Sequence, residues 1–183
     1  MADTQRTVTA ILALLADNSS QDISPQDIRD AMVSWRAAHG SLYVAAADRG
    51  DITISGTADY YEANGMVWTL PTGAFLFDES DGNGRLTYTG TVPVRGLVTA
   101  SVSMTCTASS QVTHWRLGVN GTTNAATEIQ RKIGTGADVG ALSITGSVAL
   151  STGDHISLWA RNETSATNIT IECANIIVIT AQV

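Results

Sequence analysis

The side chains that could do chemistry are few and scattered. The three histidines, His39, His114 and His155, lie far apart and lack metal-ligand spacing. His39 falls where a helix is expected to end, a place that suits a cation-capable ring. His114 and His155 fall at the starts of expected strands and are expected at the surface. Asp154, His155 and one of many serines could be drawn as a triad, yet nothing marks any serine as a nucleophile. Residues 78–84, DESDGNG, cluster oxygen ligands on a glycine turn and invite a calcium reading. Gly82 stands where an oxygen side chain is needed and no terminal Glu follows, so a plain hairpin turn is expected. The expectation is therefore a chain that is not an enzyme, with no cofactor and no metal.

Cys106 alternates with Val102 and Met104, and Cys173 with Ile171, so both read as core thiols. A disulfide between them stays open as the alternative. The Asn-X-Ser/Thr sites at Asn18, Asn120, Asn162 and Asn168 are expected by chance in a Thr-rich chain. Trp35 belongs to a helical stripe, and Trp115 and Trp159 lie in long strands where burial is expected. Trp68, among short early strands, is the candidate for contact with a glycan.

Composition narrows the partners. Only 15% of the 183 residues are charged, against about 25% in typical soluble domains, which suggests a surface partly covered by other proteins. The formal charge is −7 and the pI about 4.7. Neither a phosphate backbone nor an anionic membrane surface attracts such a chain. Twenty-four threonines and 16 glycines lean the composition toward strands and turns. No secretory leader or membrane-length apolar run is visible, so a start near Met1 and synthesis in a host cytoplasm are expected.

Two helices must come first. Val8, Ile11, Leu12 and Leu15 share one face of residues 7–16, with Thr7 as N-cap. The polar run Asp17-Asn18-Ser19-Ser20 stops that helix. Ser24, Pro25 and Asp27 mark the start of a second helix, whose stripe is Ile28, Ala31, Met32 and Trp35. His39-Gly40 is expected to close it, with Gly40 as a left-handed cap. Stripes this short need cover from each other, from the rest of the chain, or from another protein.

After residue 40 the period becomes 2. Strands are expected over 42–47, 51–55, 60–61, 66–70, 74–77, 85–89, 97–107, 112–119, 126–133, 141–150, 155–161 and 168–180. Val98, Ala100, Val102, Met104 and Cys106 form the buried face of one long antiparallel strand. The last strand is apolar on both faces toward its end. One face carries Ile169, Ile171, Cys173, Ile177 and Ile179, the other Ala174, Ile176 and Val178. A strand apolar on two sides needs two covers. The second cover is either a subunit interface, with Ala174, Ile176 and Val178 as the contact row, or the N-terminal helices.

Two stretches resemble known families. Leu14-Leu15-Ala16-Asp17-Asn18, then Asp22-Ile23-Ser24 and Gln26-Asp27-Ile28-Arg29-Asp30, resemble an N-terminal segment of phage fibre-like and particle-surface proteins. From about residue 57 onward the chain resembles the tumour-necrosis-factor and complement-type jelly roll. The carriers are Gly96 to Met104, Trp115-Arg116-Leu117-Gly118-Val119-Asn120-Gly121, and Ser147 to Asp154 followed by Ile156-Ser157-Leu158-Trp159. The resemblance implies a compact trimer with C-terminal strands near the threefold axis.

These readings combine into one expectation. The fold is mainly β: an antiparallel jelly-roll β-sandwich over 41–183, with 41–56 as possible connecting strands, preceded by a helical attachment segment over 1–40. The function is that of a homotrimeric capsid decoration (cement) or head-fibre protein on a bacteriophage virion surface. Val8, Ile11, Leu12, Leu15, Ile28, Met32 and Trp35 would contact the major capsid protein or another virion protein. The alternatives are a tail-fibre receptor-binding tip that recognises a host surface glycan, and a cellular lectin-like or signalling module.

Overall fold

The computed structural model describes residues 6–15, 23–79, 81–135 and 138–182. Helix α1 spans Val8–Leu15 and α2 spans Pro25–Trp35. Thr7 caps the first, its Oγ1 accepting from the Ala10 amide at 3.1 Å. Ser24 caps the second through a reciprocal box: its Oγ accepts from the Asp27 amide, and the Asp27 carboxylate accepts from the Ser24 amide at 3.0 Å. The helices are tied by polar groups. The Arg6 guanidinium reaches the buried Asp30 carboxylate at 2.9 Å, and the Arg6 amide donates to Ser34 Oγ at 2.6 Å. The Asp17–Ser20 stop and the side chains of Leu15 and Trp35 lie outside the described residues.

α2 does not end at a left-handed glycine. Its C-cap is Arg36, in extended conformation, and His39-Gly40 already belongs to the first strand. Gly40 serves packing instead, since a Cβ there would stand 2.6 Å from Phe77 Cβ.

Twelve strands follow among the described residues: β1 His39–Val44, β2 Gly50–Ile52, β3 Tyr61–Glu62, β4 Phe77–Asp78, β5 Leu86–Tyr88, β6 Val94–Cys106, β7 Gln111–Val119, β8 Thr122–Thr123, β9 Ile129–Ile133, β10 Gly140–Leu150, β11 His155–Asn162 and β12 Ile169–Gln182. They form two antiparallel sheets. One has the order β1-β12-β6-β10, with β2 also on β12. The other has the order β4-β5-β11-β7-β8, with β3 on β11 and β9 on β7. Residues 66–70 form no strand; Thr69 makes only an isolated bridge to Tyr43.

The pairing is nested. β1 pairs with β12, β5 with β11, β6 with β10 and β7 with β9, so the chain folds back on itself from both ends toward its middle. β12 then pairs with β6, and β11 with β7, closing each sheet. This is the connectivity of a jelly roll, read from the strand order alone.

Alternation explains why these residues make these strands. Val98, Ala100, Val102, Met104 and Cys106 are each at most 3% exposed, while Arg95, Leu97 and Ser101 face outward. The inner faces of the sheets meet in one core that includes Leu42, Ile52, Leu86, Trp115, Leu117, Ile144, Leu158 and Ile176.

β12 departs from strict alternation. Its register against β6 shifts between Ile171 and Cys173, where Glu172 is the extra residue of a bulge. Before the bulge the odd positions Ile169 and Ile171 are buried; after it the even positions Ala174, Ile176 and Val178 are buried. The expected interface row of Ala174, Ile176 and Val178 is therefore part of the sandwich core. Cys173, Ile177 and Ile179 point outward instead.

Candidate functional site

The outward face of the β1-β12-β6-β10 sheet is the most unusual surface of the molecule. Going across the strands, His39, Ile179, Leu97 and Ser147 stand in one row, and Ser41, Ile177, Thr99 and Thr145 in the next. Tyr43, Asn175, Ser101 and Ser143 make the third, and Cys173, Ser103 and Ala141 continue the fourth. These four rows hold no Asp, Glu, Lys or Arg. Leu97, Ile177, Ile179 and Tyr43 are 59%, 41%, 57% and 40% exposed. Two shallow depressions mark the face. One of about 320 Å³ lies between His39, Pro71, Ile177 and Ile179, and one of about 400 Å³ lies between Ser103, Ala141, Leu142 and Cys173.

The free edge of this sheet is β10, eleven residues of sequence GALSITGSVAL. Monomeric proteins protect such edges with charge, proline or a bulge. β10 carries no charged residue and no proline, and its pairing with β6 runs without a register shift.

The other sheet presents a contrasting, charged face. His114 stands between two carboxylates: its Nδ1 is 2.8 Å from Glu128 Oε1, and its Nε2 contacts Glu163. The Arg116 Nε donates to Glu128 at 2.7 Å, and the Arg116 guanidinium lies 4.2 Å from the Tyr60 ring centre. Hydrogen bonds from Arg116 first, then from His114, hold the Glu128 carboxyl down to about 2. Burial, then the neighbouring Glu128, raises the Tyr60 phenol. Arg85 forks onto Glu62 at 3.0 and 2.7 Å and reaches Asp81 at 3.2 Å. Sequence placed His114 at the surface. It is 7% exposed, because Glu128 just before β9, Glu163 just after β11 and Arg116 of its own strand β7 close over its ring.

The leader carries an apolar surface of its own. Val8, Leu12, Ile28 and Met32 are 44%, 59%, 46% and 66% exposed, while Ile11 is fully buried. The two helices thus bury Ile11 and Ala31 beside a partly exposed Arg6–Asp30 pair, and leave these four apolar side chains in water.

The three histidines do not meet, and Asp154, the 78–84 loop and Trp68 each sit within their own local structure. His39 lies on one sheet and His114 and His155 on the other. Asp154 is taken up in its turn, where Oδ1 accepts from Asn120 Nδ2 and Oδ2 from the Ser151 amide, both at 2.7 Å. Among the described residues no cluster of three His, Cys, Asp or Glu is placed to hold a metal ion. In the 78–84 loop, Asp81 Oδ1 accepts from the Asn83 amide and Glu79 Oε1 from the Gly84 amide, so the turn uses its own oxygens. The glycan candidate Trp68 is 5% exposed, packs against Gly84, and donates from Nε1 to the Ala63 carbonyl at 2.8 Å. It is a core residue with no face for a sugar. Of the two expected core thiols, Cys106 is buried and Cys173 exposed, and both are free.

No protein-family model matches this chain, and no curated protein matches it in sequence. Solved structures of similar shape include an Eiger tumour-necrosis-factor protein from S. frugiperda, 13% identical, with a TM-score of 0.47 over 79% of this chain and 92% of that one. Murine APRIL at pH 5.0 is 12% identical, with a TM-score of 0.42 over 76% of this chain and 98% of that one. Likenesses this distant leave the fold to be read from the strand order above.

Proposed function

We propose that this chain is a structural protein of a virus particle that self-associates through the uncharged face of the β1-β12-β6-β10 sheet and is held on the particle by its leader. The observation that carries the reading is the four-row face without a charged residue, centred on Leu97, Ile177 and Ile179. Copies of a chain with net charge −7 repel one another. Approach through these four rows, bordered by Arg95 beside Ser147, keeps the chain's carboxylates apart and removes exposed apolar area from water.

The face and the open edge β10 are different surfaces of one molecule. A contact between one copy's edge and the next copy's face is head-to-tail, and such contacts make a ring where the rotation between copies closes. The number three comes from the sequence resemblance to the trimeric jelly rolls. The virion assignment rests on the leader's resemblance to phage particle-surface segments. The outward Val8, Leu12, Ile28 and Met32 support a docking role for the leader. In this reading the chain divides near residue 38, since the sandwich core begins at Ala38. The protein acts by burying area between capsomers, as decoration or head fibre.

Truncation after Trp35 tests the division of labour. The shortened chain is expected to keep the oligomer and to lose binding to purified particles. Undiminished particle binding overturns the leader's role, and loss of the oligomer overturns the role of the sheet face.

A further inference from the structure

We propose that Trp159 is a stacking platform for a saccharide, on the sheet face opposite the one that self-associates. Its place in a long strand leads to an expectation of burial for Trp159. Its side chain lies instead on the outward side of β11, partly exposed, with Arg116 of β7 and Glu62 of β3 as register neighbours.

The geometry of the ring is set by its neighbours. A Cβ on Gly118 would stand 2.5 Å from the Trp159 Nε1 and 2.7 Å from its Cδ1. The bare α-carbon of β7 is thus the seat on which the indole rests. The indole N–H donates to Ser157 Oγ at 2.9 Å, which fixes the ring's orientation. With its only donor engaged, the indole offers its environment an apolar π surface.

The rim is polar and held rigid. On one side Glu62 is locked to Arg85 by two hydrogen bonds. On the other Arg116 is locked to Glu128. Along β11 itself, the same outward row contains His155 and Arg161. Their Nε2 and Nε atoms are buried with no hydrogen-bond partner in the structure.

A flat apolar seat bordered by fixed carboxylate and guanidinium groups matches a pyranose ring. One face of the sugar carries C–H groups for the indole, and its equatorial hydroxyls reach sideways to donors and acceptors. A free phosphate uses the arginines but not the indole, and here each arginine already has a carboxylate partner. The ligand class is therefore a neutral saccharide. The inference does not depend on the oligomer: the platform and the self-associating face lie on opposite sheets.

The test uses the full chain on an array of glucose-, galactose- and N-acetylglucosamine-terminated oligosaccharides, followed by calorimetric titration of the tightest binder. Trp159→Ala is expected to lower its affinity at least tenfold with an unchanged melting temperature, and Trp159→Phe to stay within a few-fold of the original. If Trp159→Ala does not fold, Gly118→Ala displaces the indole from its seat and is expected to show the same loss. Absence of any binder on the array overturns the proposal, as does full affinity in a folded Trp159→Ala or Gly118→Ala protein.

Discussion

Ile179 stands directly opposite Leu97 across the β12–β6 ladder, and both side chains point away from the core, 57% and 59% exposed. Cross-strand pairs of this kind stabilise a sheet modestly by themselves. Two large aliphatic residues left in water, at the start of four rows that hold no charge and with Arg95 at their border, make sense as part of a contact. Replacing Ile179 with Asp puts an unpaired carboxylate into that contact, at a cost of about 3–5 kcal/mol, on the order of a thousandfold in association. The expected outcome by analytical ultracentrifugation is a folded monomer.

The bulge at Glu172 makes a sharp prediction about two neighbouring residues. Ile176 is fully buried and Ile177 is 41% exposed. Ile176→Ala should cost about 2–5 kcal/mol in chemical denaturation, as large-to-small changes in a packed core do. Ile177→Ala should cost less than about 1 kcal/mol in the monomeric Ile179→Asp background. Equal costs would contradict the shifted register.

The two thiols should react differently. Cys173 is exposed on the face proposed to self-associate, whereas burial raises the Cys106 thiol to about 11. Ellman's reagent should titrate one thiol in the monomeric variant and the second only after unfolding. In the assembled protein Cys173 should react more slowly, since its neighbours Ser103 and Ala141 share the covered face.

The charged face predicts an acid transition. Glu128 is lowered from 4.5 to about 2, chiefly by hydrogen bonds from Arg116. A carboxyl with a depressed folded pKa contributes stability that is complete above about pH 4.5. That stability is lost as the pH falls through about 2. The group is largely solvent-exposed, so the effect is modest. Thermal melts between pH 5 and 2 should show a smaller decline in Glu128→Gln than in the parent protein.

Much of the fold was legible because alternation is a strong signal when it is uninterrupted. β6 shows this: every residue from Val98 to Cys106 assigned to the core face is buried. The Ser24-Pro25-Asp27 signature likewise locates the start of α2 at the expected residue. The Asn120-Gly121 turn, with φ of 50° and 78°, ends β7 as expected.

β12 shows where such reading stops. Its sequence revealed that both faces are apolar near the end, and the structure has apolar residues on both. One inserted residue at Glu172 exchanges the faces, and nothing local in the sequence announces a bulge. Trp68 and Trp159 were misassigned for a related reason. Whether an indole is covered depends on residues distant in sequence, Gly84 for Trp68 and Gly118 for Trp159. The His114 cluster has no sequence spacing at all, because β7, β9 and the segment after β11 meet only in the folded sheet.

The most direct test of the account is the mass of the full chain in solution, measured by light scattering at micromolar concentration. The expected result is a homotrimer, three times the 19.2 kDa of the single chain, that collapses to monomer on Ile179→Asp. A folded 19.2 kDa monomer in the unmodified protein, or an oligomer indifferent to that substitution, would contradict it.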